Sequence, residues 1–272
     1  MTPTYVLGVD AAWTAHHPSG ISLLQRSADG SLVVLKVARS YREFLEEGRI
    51  DWFAKPNASP PLLGKVLRHC ADRGWPVGVV ALDIPLAPEP VRGYREADRA
   101  LTRTYAGRGA PVHSPTPERP GAISDLIYEQ LTNAGLRWAG AQAVLNQPSF
   151  IEVYPHAAII ELFGYAYRFP YKVHRRGQYW RDDPPAVRHR KSIRNLLELK
   201  QKITDYVTFA PGAGLPELAP EQLYSLAFLK GYEDVLDSLV CALSGWAYAI
   251  GRATAYGDQD AAIWVPNRLG SY

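Results

Sequence analysis

Tyr5-Val6-Leu7-Gly8-Val9-Asp10 decides the reading of the fold. The run is short, rich in β-branched residues and apolar without alternation, which describes a strand buried on both faces rather than a surface hairpin arm. It ends on an aspartate. Strands are expected next at residues 20–25 and 32–37, separated by residues 26–31, whose Asp29-Gly30 is a strong turn signal. The first three strands should therefore form an antiparallel meander. Residues 77–82 are again continuously apolar and stop at Asp83-Ile84-Pro85, where proline cannot donate to a ladder. A second buried strand thus ends on an aspartate, and a fifth is expected at 150–154, broken by Pro155.

Between and after these strands the period changes to that of helices. Leu63, Val66, Leu67 and Cys70 recur at helical spacing before Gly74 and Pro76 stop the run. Further helices are expected at 94–105, at about 123–139 and, strongly basic, within 184–207. The last helix carries the stripe Leu236, Leu239, Val240, Leu243 and Ala247 toward Ile250. The chain reads as α/β, a single domain over 1–272 with a basic helical insertion at about 157–207.

Composition narrows the class. A hydrophobic fraction of 47% over 272 residues supports a large core and argues against fibre or disorder. Cys70 and Cys241 lie far apart without metal-ligand spacing, and no apolar run is long enough to span a bilayer. A reducing, cytoplasmic setting without membrane contact is the expectation, and oligomeric state is not legible. The formal charge is only +3, yet Arg168 to Lys202 holds eleven Lys and Arg against Asp182, Asp183 and Glu198. Lys172, Arg175, Arg176 and Arg188 in this stretch are the expected substrate-binding groups, suited to phosphates, with Tyr171, Tyr179 and Trp180 available to stack on bases. A solvated helix face with locally paired charges explains the stretch nearly as well.

Four acids carry the candidate chemistry. Ligands of open α/β sheets gather at the carboxyl ends of parallel strands, where Asp10 and Asp83 both fall. Asp234 and Asp237 are three apart on the last helix and so share a face. Asp237 borders the buried stripe, where an unpaired charge is costly and a cation or buried partner would remove the cost. Oxygen donors of this kind select Mg²⁺ or Mn²⁺ and suit a two-metal displacement at phosphorus. Asp10, Asp83 and Asp237 are the expected metal ligands, and Asp234 joins them as a catalytic residue. Each acid alone has a plainer reading, as a turn former or a partner of the helix dipole. Glu152 faces either the site or a basic structural partner, and His113 and His156 stay outside the catalytic set as hydrogen-bonded structural residues.

The ordered motifs Gly8-Val9-Asp10, Leu82-Asp83-Ile84-Pro85, Arg95 with Asp98, Glu152-Val153-Tyr154-Pro155-His156, Tyr171-Lys172 and Asp234-Val235-Leu236-Asp237-Ser238 resemble the domain-of-unknown-function 429 family, from Tyr5 to about Ile250. The resemblance implies an RNase H-like mixed five-stranded sheet of order 3-2-1-4-5, flanked by helices with helical insertions. It implies a divalent-metal-dependent nuclease acting on DNA or RNA. Two alternatives stand beside it: a nucleic-acid-binding module that lost the chemistry, and an ATP-dependent phosphotransferase. The latter is disfavoured by the lack of a second Gly-rich phosphate loop and of room for a duplicated domain.

Overall fold

The computed structural model describes residues 4–269. Its strands are β1 (Tyr5–Asp10), β2 (Gly20–Arg26), β3 (Leu32–Ala38), β4 (Val77–Leu82), β5 (Arg137–Trp138), β6 (Ser149–Val153), β7 (Thr208–Phe209), β8 (Ala253–Gly257) and β9 (Ala262–Pro266). Its helices are α1 (Tyr41–Leu45), α2 (Leu63–Asp72), α3 (Glu96–Tyr105), α4 (Ala122–Asn133), α5 (Pro155–Phe163), α6 (Arg176–Tyr179), α7 (Pro185–Thr204) and α8 (Leu226–Ala249).

The sheet runs β7-β3-β2-β1-β4-β6-β9-β8. β1 to β3 form the antiparallel meander, while β4 lies parallel to β1 and β6 parallel to β4. The central order β3-β2-β1-β4-β6 is the expected 3-2-1-4-5, and this mixed topology is RNase H-like. The sheet continues past the last helix, because β9 returns parallel to β6 and carries β8 antiparallel at its edge. The helix expected over 123–139 ends early. Gly135 takes a left-handed φ of 84°, and the chain re-enters the sheet as β5 beside β6.

Side-chain parity places the site. Val6 of β1 and Val79 and Ala81 of β4 pack in the core beneath α8, whereas Leu7, Val9, Val80 and Leu82 pack in the core of α1, α2 and α4 on the other face. Successive residues alternate faces, so Asp10 and Asp83 fall on the α8 side. In β6, Ile151 and Val153 belong to the α8 core and Phe150 to the opposite one. Glu152 therefore leaves the sheet away from α8. Ser225 caps α8 by accepting the Phe228 amide at 3.1 Å. The helix is buried on almost every side, between the sheet and α5 and α7.

Two glycines let α8 lie against the strands. A Cβ on Gly8 would meet the Ser238 carbonyl oxygen at 2.0 Å, and one on Gly20 would meet that of Asp234 at 2.0 Å. Only glycine permits this backbone contact. Ser238 keeps its buried hydroxyl satisfied by donating to the Val235 carbonyl at 2.8 Å.

Candidate metal centre

Close approach of α8 brings Asp234 and Asp237 beside Asp10, with one carboxylate oxygen of each lying within 4.8 Å of the others. Asp83, at the end of the neighbouring strand, stands outside this trio. It joins Asp10 and Asp234 in the wall of a cleft of about 730 Å³, which Trp13, His113 and Arg119 also line. The trio is thus Asp10, Asp234 and Asp237, with Asp234 closer to the centre than Asp83.

A fifth acid, Glu233, was missed as a site residue. It is completely buried, accepts the Val173 amide at 2.6 Å, and pairs with Lys230 at 3.0 Å and Lys172 at 3.4 Å. Its sequence signal was its position one residue before Asp234 and three after Lys230. Lys172 also pairs with Asp237, whose other oxygen accepts the Tyr171 hydroxyl at 2.5 Å, and Lys230 pairs with Asp234. Lys172 therefore sits among the acids rather than out on a basic face. Five carboxyl groups face two ammonium groups, so full ionisation would leave three negative charges unmatched.

The electrostatics follow from burial. Burial raises Asp10 to about 7, helped by the neighbouring Asp234 charge. Burial likewise raises Asp237 to about 6, against the pull of Lys172. Asp83 is pushed well above its ordinary value by burial and by Asp10, and Asp234 is raised by burial against Lys230. Burial would lift Glu233 too, but Lys230 and Lys172 overcome it and hold its carboxyl at about 2. Asp10 and Asp83 form no ion pair among the described residues. An all-oxygen donor set with surplus negative charge fits a hard divalent cation such as Mg²⁺ or Mn²⁺ and offers nothing to a thiophilic one.

The remaining candidates separate by geometry. Glu152, on the far face, takes a bidentate Arg95 fork with both contacts at 2.6 Å and accepts the Leu86 amide at 2.8 Å. Arg95 also grips Asp98 in a capping box at the start of α3, so this motif is a buried structural brace. Arg175 and Lys172 line a second, smaller pocket beside the cleft. Arg176 and Arg188 line neither, and Arg188 donates to the Arg181 carbonyl at 2.5 Å within its own segment. Much of the charge on α7 is matched locally, Lys191 by Asp183 at 2.6 Å and Lys200 by Glu217 at 2.7 Å. Among the described residues no helix is long and apolar enough to cross a membrane.

A family model described as "Protein of unknown function (DUF429)" matches residues 65–261. That stretch contains Asp83, Glu233, Asp234 and Asp237, and it reaches beyond Ile250 into β8 and the β8–β9 turn, while β1 to β3 with Asp10 precede it. Among solved structures, the crystal structure of the yeast mitochondrial Holliday junction resolvase Ydc2 is similar at a TM-score of 0.34 and 10% identity, over 90% of this chain and 80% of that one. No curated protein matches the chain. With the family match covering most of its length and the ordered motifs in place, the chain belongs to the DUF429 family.

Proposed function

We propose that this protein is a divalent-metal-dependent nuclease that hydrolyses phosphodiester bonds. One observation carries the reading: acids from the ends of two parallel strands and from a helix far away in sequence converge on one cleft with more negative charge than the local lysines neutralise. Asp10, Asp234 and Asp237 would hold Mg²⁺ or Mn²⁺, with Asp83 in the adjoining wall. The ion, when bound, supplies activation of a water and stabilisation of the leaving oxygen. The chain's own residues do the rest. Tyr171 and Lys172 fix the Asp237 carboxylate, Glu233 holds both lysines in place, and Arg119 in the cleft and Arg175 in the adjoining pocket give positive charge for phosphate groups.

Titration calorimetry with Mn²⁺ on wild type and Asp10→Asn, alongside cleavage of a panel of DNA and RNA substrates, tests this. Asp10→Asn should weaken Mn²⁺ by about tenfold or more and abolish cleavage. Equal affinity in the two proteins would remove the metal site. The lysines already paired with Asp234 and Asp237 favour a second reading, a nucleic-acid-binding module of the same fold without catalysis. Retarded migration of DNA or RNA in EDTA, with no cleavage in any metal, would select it.

A further inference from the structure

Beside the acidic cleft lies the smaller pocket, about 180 Å³, which shares Trp13, Asp83, His113 and His174 with it. Its lining is cationic where the cleft is acidic. Arg168 and Arg175 both face it, and the Arg175 guanidinium makes no hydrogen bond or ion pair among the described residues. The two anionic groups in its wall are Asp83, at the junction with the cleft, and Glu152, already neutralised by the Arg95 fork.

His156 lines the same pocket and orients one of its arginines. It is 7% exposed, and its Nε2 lies 2.5 Å from Nη2 of Arg168. A guanidinium only donates, so Nε2 accepts, and a neutral ring then carries its hydrogen on Nδ1. Burial, together with Lys172, Arg168 and Arg175, holds this imidazole well below its ordinary value, so the ring is neutral. Nδ1 is buried without a partner, and so is Nε of Arg168. Unpaired buried donors are costly, and here two occur on adjoining residues of one pocket. His156 also stands in the first turn of α5, a helix that no side chain caps, so its leading amides add a further positive end.

We propose that this pocket takes the terminal phosphate monoester of a nucleic-acid end, holding the strand by that end while a neighbouring phosphodiester lies over the acids. Two arginines that line the pocket and the start of α5 match a dianion with three acceptor oxygens. The volume favours an end: about 180 Å³ is below the roughly 300 Å³ at which pockets begin to take whole small molecules, and it suits a single phosphate group. Trp13 and Tyr154 offer aromatic faces to the terminal nucleotide.

The inference rests on the nuclease reading for its substrate but not for its test. Calorimetry with inorganic phosphate in EDTA, on wild type, Arg175→Gln, Arg168→Gln and Asp10→Asn, reads the pocket without metal or cleavage. Wild type and Asp10→Asn should bind phosphate, and each arginine variant should bind it about tenfold or more weakly. Fluorescence anisotropy, also in EDTA, then compares one oligonucleotide sequence bearing a 5′-phosphate, a 3′-phosphate or only hydroxyl ends. One phosphorylated form should bind more tightly than the hydroxyl form, and Arg175→Gln should erase the difference. No phosphate binding by wild type, unchanged binding in Arg175→Gln, or equal binding of all three oligonucleotides would overturn the proposal. Phosphate binding without cleavage in any metal leaves the pocket and removes the nuclease; cleavage without phosphate binding does the reverse.

Discussion

Replacing Lys172 by methionine keeps the stem of the side chain and removes one charge from the centre of the acidic cluster. Asp237 and Glu233, both fully buried, then lose their shared cation. Breaking a buried ion pair by removing one partner costs about 3–5 kcal/mol. The Tyr171 hydroxyl stays on Asp237 and Lys230 stays on Glu233, which points to the lower end of that range. For a chain of this size the melting temperature should drop by roughly 6–12 °C at pH 8 in EDTA, at about 2–4 °C per kcal/mol. Two conditions should shrink the loss. At pH 5 Asp237, whose carboxyl sits at about 6, takes up a proton and needs no counter-charge. Saturating Mn²⁺ replaces the ammonium, and the variant should bind Mn²⁺ more tightly than wild type because nothing competes for Asp237. Scanning calorimetry of both proteins at pH 5 and 8, in EDTA and in Mn²⁺, reads all four conditions. An equal loss in every one would mean that Lys172 supports the fold by packing alone and that its charge is irrelevant to the acids.

Two further outcomes follow from the same geometry. In EDTA the wild-type melting temperature should fall as pH rises from about 4 to 7.5, since Asp10 and Asp237 are raised from 3.8 to about 7 and about 6. A raised folded-state value stabilises fully below the unfolded value and is lost as pH climbs through the folded one, whereas Glu233, lowered to about 2, contributes above 4.5 and loses its share only in strong acid. Mn²⁺ should flatten the decline, and a melting temperature in EDTA that rises steadily over that interval would contradict it. Glu152→Gln should destabilise by about 3–5 kcal/mol in chemical denaturation, because the Arg95 fork loses its carboxylate. Its Mn²⁺ affinity should match wild type, and a clear loss there would return Glu152 to the ligand set.

Five strands were legible because continuous apolar runs ended on Asp10, Asp83 and Pro155 leave little choice of element. The β8–β9 hairpin was not, since Ala253-Thr254-Ala255-Tyr256-Gly257 has small residues and no clean alternation, and its place in the sheet comes from pairing between β9 and β6. Strand ends bring Asp10 and Asp83 together on paper and helical spacing puts Asp234 beside Asp237, but that Asp234 rather than Asp83 completes the trio with Asp10 comes only from the close approach of α8. The position of Lys172 could not, because a segment's charge says nothing of which way one side chain turns. Buried carboxylates drew it inward, out of the basic stretch. Glu152 illustrates the limit of a strand apolar on both faces: composition gives no parity, and only the packing of Phe150 against one core and Ile151 against the other shows which way it leaves the sheet.

Gly8, inside the stretch with which the fold begins, has a consequence for ion choice. The gap between α8 and the strands β1 and β2 is fixed by backbone touching backbone at Gly8 and Gly20, so the jaw formed by Asp10 and the two helix acids has no soft layer to yield. A jaw of that stiffness sorts hard cations by radius. On the reading proposed above it would accept ions whose oxygens sit at about 2.0–2.1 Å, as for Mg²⁺, and penalise Ca²⁺ at about 2.3–2.6 Å, so the discrimination is set by two missing methyl groups on the strands rather than by any ligand atom.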